Sequence, residues 1–395
     1  MSGTPETFGS VWLGGASVEV AVAGGRIARI APSPRRPERT MLPGLVDAHV
    51  HLDKTHTVGR IGRRPASLHE AIALHFEDMA RWTAEDVRAR ASRGLAEAEA
   101  QGIVALRTHV DWTEAQAPLA WAVLGELAEA WRGRIRIDRA ALAPLDLLAG
   151  EAGAAIADRV RADGATLGAF VYANEHLPAK LETAFGLALR RDLALDFHVD
   201  EGLDRSLVGL DTIVALTRRL GMAGRVLCGH CCALALRPEA EAAQVLEAAA
   251  EAGVALVALP TTNLYLQDAR DGRTPRMIGL APVQEARAAG VPVALALDNV
   301  RDAFYPYGDY DLLDAWRIGV LAAHLDPDDW IDAISAVPAA ALGLAPPRIA
   351  EGEPADFVLI EAASPAEFVS HPRARREVWR NGRRLEPAAW EATRA

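Results

Sequence analysis

Cysteine is nearly absent from the 395-residue sequence. The three that occur, Cys228, Cys231 and Cys232, sit together. So few, so close, cannot form a disulfide framework, and a reducing compartment, the cytoplasm, is expected. No apolar run reaches the roughly 18 residues of a membrane span, so no membrane partner is expected. Residues 1–10 lack a basic stretch followed by an apolar one, and no secretory leader is expected. Basic charge is in the minority: 42 Lys and Arg stand against 53 Asp and Glu, a formal net charge of −11. Phosphate-rich partners select clustered Lys and Arg, so no nucleic-acid partner is expected. A small molecule without phosphate stays compatible with that balance.

What is present is alternation. Residues 17–22 and 26–30 flank the Gly24-Gly25 turn in a hairpin pattern, and 356–360, 377–380 and 383–385 repeat such material near the other end. Neither end can bury a core alone. The two, 1–40 and 346–395, are expected to pair into one small β-sandwich domain. Between them, in 41–345, eight strand patterns are expected at Met41–Val46, Ile103–His109, Ile135–Ala141, Thr166–Val171, Ala194–His198, Arg225–His230, Val254–Leu259 and Val293–Leu297. Amphipathic stretches such as Ser67–Gln101, Glu114–Arg132, Pro178–Arg190 and Glu239–Gly253 fill the gaps. The leading architecture is α/β, a (β/α)₈ TIM barrel; a doubly wound open sheet is the rival.

Barrels of this kind gather chemistry at the C-terminal ends of their strands. Strand one runs into Asp47-Ala48-His49-Val50-His51, and residues i and i+2 of an extended segment face one side. His49 and His51 can therefore present two imidazoles to one metal ion, although such a pair is common in strands by chance. Strand five ends at His198, strand six at His230 and strand eight at Asp298. Each alone is more simply a structural His or a capping Asp. At four corresponding ends of one barrel, together they point to a metal site.

The segments Pro43–Asp53, Arg107–Asp111, His198-Val199-Asp200-Glu201, Asn263–Gln267 and Asp298–Asp302 resemble the amidohydrolase superfamily, and within it the bacterial cytosine deaminase group. The resemblance covers nearly the whole chain. It implies one divalent metal per chain, Zn²⁺ or Fe²⁺, held by His49, His51, His198 and Asp298. Binuclear relatives bridge their metals with a lysine on strand four; none stands at 166–171, so a mononuclear site is expected, and Lys54 is expected in an ion pair. The metal would make hydroxide available near neutral pH. Asp298 would accept the water's proton and His230 would orient the nucleophile. Glu201 would protonate the ring nitrogen and help ammonia leave. His109 is expected behind the ligands, and His56, His69, His75, His176, His324 and His371 are expected to be structural or solvated.

The implied substrate is a free pyrimidine base, cytosine or 5-methylcytosine. The group's strand-three glutamine is missing, and Asp146 stands nearby as its expected substitute. Asn299 replaces a second acid after the metal-binding aspartate. A neutral amide there is less hostile to a methyl group than a carboxylate is. Leu68 and Phe304 would wall the base. Two alternatives stay open: a hydrolase of an N-alkylamino triazine, which Asp298-Asn299-x-Arg301-Asp302 also suits, and a non-catalytic superfamily member, which the filled ligand positions disfavour. Cys228-Gly229-His230-Cys231 has redox spacing but closes a barrel strand, so packing is expected of it. Barrels of this superfamily are often oligomeric, and a homo-oligomer is open.

Overall fold

The computed structural model describes residues 6–63 and 65–386; the outermost parts of the expected end domain, 1–5 and 387–395, lie outside the described residues. Eight parallel strands follow one another in space as they do in sequence: Leu45–Val50, Ile103–Asp111, Arg136–Pro144, Thr166–Val171, Leu195–Val199, Val226–His230, Ala255–Ala258 and Val293–Leu295. They are called strands one to eight below. A parallel bridge between Val50 and Asp298 joins the last strand to the first, and Asp298 N–H donates to the His49 carbonyl at 2.8 Å. That closure decides for the barrel against the open sheet. Strand one is buried at every position, as a parallel strand covered on both faces must be.

The observed elements differ from the expected ones in ways that have local causes. The stretch expected as strand one is split. Arg39–Pro43 pairs with the sheet of the chain ends, and Leu45–Val50 enters the barrel. Gly44 marks the break because a Cβ there would lie 2.3 Å from Val104 Cγ1. The long helix expected over Ser67–Gln101 is two, Leu68–Met79 and Ala84–Ala100, because the Thr83 side chain caps the second by accepting from Asp86 N–H. The helix expected from Glu114 begins at Leu119, after Pro118.

Both chain ends contribute to one seven-stranded sheet. Phe8 and Trp379 lie three strands apart in it, about 14 Å in a flat sheet. Their ring centroids are nevertheless 5.1 Å apart, so the sheet curls over a core of its own that includes Val11, Val20, Ile27, Met41 and Phe357. No helix among the described residues is long and apolar enough to cross a membrane.

Candidate metal centre and active site

One parity of residues on each strand faces the barrel interior. On strand one it carries Asp47 and His49, with His51 one residue past the end; on strand two, Arg107, His109 and Asp111; on strand five, Asp196 and His198. These polar columns meet in two tiers. In the lower tier the Arg107 guanidinium donates to Asp138 Oδ2 at 2.7 Å and to Asp196 Oδ2 at 2.8 Å. Asp196 Oδ1 lies 3.0 Å from His109 Nε2, and the His109 ring packs on His49 with centroids 4.0 Å apart. His109 therefore stands behind a ligand.

The upper tier is the donor set. His49 Nε2 lies 3.0 Å from His198 Nε2 and 3.5 Å from Asp298 Oδ1. His51 Nε2 lies 3.3 Å from His198 Nε2 and 3.2 Å from Asp298 Oδ1. Donors about 2.0–2.2 Å from a shared cation have such mutual separations. The four are buried, and among the described residues Asp298 Oδ2 and the Nδ1 atoms of His49, His51 and His198 have no hydrogen-bond partner. Burial lowers the pKa of all three imidazoles, helped by His109 at His49, Lys54 at His51 and His49 at His198. Burial alone would raise Asp298, but hydrogen bonds from His49 and His51 hold it well below the usual carboxylate range. Three neutral imidazoles and one carboxylate suit a divalent cation.

His109 and His230 also offer atoms within 4.8 Å of members of this set. His109 Nε2 is turned to Asp196. The Asn263 amide donates to His230 Nδ1 at 3.1 Å, so the ring proton of His230 sits on Nε2, which is buried and has no hydrogen-bond partner among the described residues. His230 is thereby a donor beside the set. Burial pushes its pKa down to about 3, which keeps the ring neutral. Asp200, His230 and Asp298 all have positive φ, at 52°, 70° and 65°, unusual for residues with a side chain. Left-handed turns at three strand ends aim these segments into one mouth. Asp200 anchors its turn by accepting from Gly209 N–H at 3.1 Å and Leu210 N–H at 3.0 Å, and Glu201 follows it into the cavity. Burial, then the Asp298 carboxylate, raise the Glu201 pKa well above its ordinary value.

The cavity over the donors, about 210 Å³, is lined by His51, His198, Glu201, His230, Asp298 and Asn299, and by Leu68 and Phe304. Leu142, Pro144 and Phe170 complete an apolar wall. The Asn299 amide donates to Asp302 Oδ2 at 2.7 Å. One expected substrate residue is elsewhere. Pro144 turns the chain into the short helix Leu145–Ala149, and Asp146, 59 % exposed, pairs with Lys180 and accepts from Asn174. It is not among the cavity's lining, so Asp146 does not stand in for the glutamine. His75, expected to be structural or solvated, lines the cavity instead. Leu68, Ile72, His75 and Phe76 share one helix face, and that i, i+4, i+7, i+8 spacing was the available signal. The three cysteines are buried and free, outside that lining.

A ring of cation donors with a buried carboxyl at one barrel mouth defines a metal-assisted barrel hydrolase. The amidohydrolase family profile matches residues 62–385. The chain is 38 % identical over 382 residues to a pterin deaminase of Rhizobium rhizogenes, covering 93 % of this chain and 87 % of that one. The 5-methylcytosine deaminase of Klebsiella pneumoniae, solved with 5-fluorocytosine, superposes with a TM-score of 0.82 at 25 % identity, over 94 % of each chain. The N-isopropylammelide isopropylaminohydrolase of Burkholderia multivorans superposes at 0.78 with 28 % identity, over 97 % of this chain and 98 % of that one. The chain belongs to the amidohydrolase family, and it is a hydrolase acting on C–N bonds in cyclic compounds.

Strand six makes room for strand one's ligand across the barrel interior by being thin at Gly229. A Cβ on Gly229 would lie 3.0 Å from His49 Cε1 and 3.1 Å from its Nδ1. Gly229→Ala is expected to displace the imidazole and weaken metal binding by about 10- to 100-fold, the usual effect of disturbing a ligand's support. Competition with a chromophoric chelator measures this; unchanged affinity would show that His49 gives way freely.

Proposed function

We propose that the protein hydrolytically deaminates a pterin-class heterocycle, a fused ring with an amino group at C2 and an oxo group at C4, giving the 2-oxo product and ammonia. The carrying observation is that Glu201 and three of the four donors, His51, His198 and Asp298, line one largely apolar cavity. The pterin deaminase relative supports the substrate class. His49, His51, His198 and Asp298 would hold a divalent cation. When bound, it lowers the pKa of water so that a hydroxide nucleophile is available near neutral pH.

The chain's own groups do the rest. Asp298, kept ionised, accepts the proton that water loses as its oxygen bonds to C2. His230 Nε2–H donates to that oxygen. Glu201, kept protonated by burial, donates to the adjacent ring nitrogen, so the electrons of the C=N bond have a destination. The proton held by Asp298 passes to the amine, the C–N bond breaks, ammonia leaves, and the new carbonyl forms as its O–H proton returns to Glu201. Leu68, Phe170 and Phe304 offer apolar faces to a flat ring and exclude water from it.

A second reading, cytosine or 5-methylcytosine, is favoured by Asn299, a neutral amide tethered to Asp302 on the cavity wall, and by the likeness to 5-methylcytosine deaminase. Ammonia release from pterin, cytosine and 5-methylcytosine, and isopropylamine release from N-isopropylammelide, with Zn²⁺ or Fe²⁺ supplied, separate the readings. The highest kcat/KM is expected with pterin. A maximum with 5-methylcytosine would move the assignment to the second reading, and none with any of them would overturn both.

A further inference from the structure

Three ionisable side chains of this cavity have no part in the steps above: Lys54, His75 and Asp111. Lys54 Nζ lies 2.6 Å from Asp111 Oδ2, and His75 Nε2 lies 2.7 Å from the same oxygen. The ammonium also sits 5.0 Å over the Phe304 ring, so its position is fixed from two sides. All three line the cavity, and the Lys54 side chain is only 4 % exposed. An ion pair removed from water gains little stability by itself, because desolvation offsets the attraction. Its location calls for another account.

An ammonium has three N–H groups. Among the described residues, Asp111 is the one acceptor within reach of Lys54, which leaves donors for a ligand. Asp111 keeps 12 % of its side chain exposed at the inward parity of strand two, and among the described residues both of its close charged contacts, from Lys54 and His75, fall on Oδ2, which leaves Oδ1 for a ligand. A donor thus lies beside an acceptor, the complement of a lactam edge in which a ring C=O adjoins a ring N–H. Strand three brings only Leu142 and Pro144 to the cavity, neither of which can read such an edge.

We propose that Lys54 and Asp111 are the specificity-determining pair that reads the substrate's lactam edge. Lys54 donates to the oxo group, Asp111 accepts from the neighbouring ring N–H, and His75 holds the carboxylate from behind. The proposal rests on the pterin reading. Its test compares pterin with 2-aminopteridine, which keeps the ring and the leaving amine but lacks the oxo group and the N–H. A site built to hydrogen-bond a group rejects the analogue lacking it by about 10⁴-fold. The holoenzyme is expected to prefer pterin in kcat/KM by at least about 10²-fold, and Lys54→Met to shrink that ratio to within about tenfold. Asp111→Asn keeps the shape of the side chain and carries the test should Lys54→Met not fold, with at least a tenfold fall in the ratio expected. Metal content and the melting temperature check each variant's fold. Pterin turnover with the ratio unchanged in the folded variants would overturn this proposal and leave the pterin reading standing. No turnover of pterin by the metal-loaded wild-type protein would overturn that reading, and this proposal with it.

Discussion

Removal of the divalent cation is expected to abolish turnover and to lower the melting temperature, both reversibly. The nucleophile is the reason for the first effect. Free water has a pKa of about 15.7, and coordination brings it to about 7, so hydroxide becomes scarcer by many powers of ten without the ion. A loss of at least about 10⁴-fold in kcat is therefore expected. The second effect follows from linkage. A cation present at about 1,000 times its Kd stabilises the folded state by about 4 kcal/mol, and chelation withdraws that contribution. It also leaves the buried Asp298 carboxylate and the converging Nε2 atoms of three imidazoles without the cation they would share. The measurement is ammonia release and thermal unfolding of protein dialysed against chelator, then reloaded with Zn²⁺ or Fe²⁺. Turnover within tenfold of the loaded protein, with no metal detectable by elemental analysis, would defeat the metal-centre reading. Asp298→Ala should reproduce the loss and resist reloading, since it removes both a ligand and the proton acceptor.

The donor set was legible because extended chain geometry is local. His49 and His51 alternate across one residue, and a β-strand leaves them little choice of side. His198, His230 and Asp298 needed only the strand ends to be placed within a residue or two, which apolar runs allow. The same parity rule applied to Arg107-x-His109-x-Asp111 and Asp196-x-His198 would have exposed the buried lower tier as well. Asp146 was misplaced because one residue decides its direction. Pro144 ends strand three and starts a helical turn, so a side chain near the mouth in sequence points to Lys180 on the outside. The first barrel strand was misplaced because Arg39–Pro43 is itself a strand, and no periodicity says which sheet it joins. Pairing with Phe357–Ile360 decides it, and that partner lies at the far end of the chain. Lys54 was expected in an ion pair, and it forms one. That its partner is Asp111, shared with a histidine from a helix between them, is a tertiary fact with no local signature.

Glu201→Gln is expected to lower kcat by about 10²- to 10⁴-fold, the range for one general acid–base group, with KM changed only a few-fold. The substitution isolates proton transfer. Glutamine matches the side chain's volume, so no cavity opens, and Glu201 is outside the donor set, so metal content should be unchanged. Glu201 Oε1 lies 3.6 Å from His230 Nδ1, too far for a firm hydrogen bond, so the Asn263–His230 contact at 3.1 Å should survive and keep Nε2–H aimed at the nucleophile. Stability is expected to hold or rise slightly, because a buried ionisable group is replaced by a neutral one. Two readouts separate this role from a merely structural one. A substrate whose ring nitrogen is already alkylated and cationic needs no proton there, so its turnover should fall less than that of pterin. Glu201→Asp, which keeps the acid but shortens its reach, should retain more activity than Glu201→Gln. A fully metallated Glu201→Gln protein with kcat within tenfold of wild type would remove Glu201 from the proton path. The remaining unassigned cavity groups able to carry that proton would then be Lys54, His75 and Asp111, and the lactam-reading pair would have to be reconsidered as part of the chemistry.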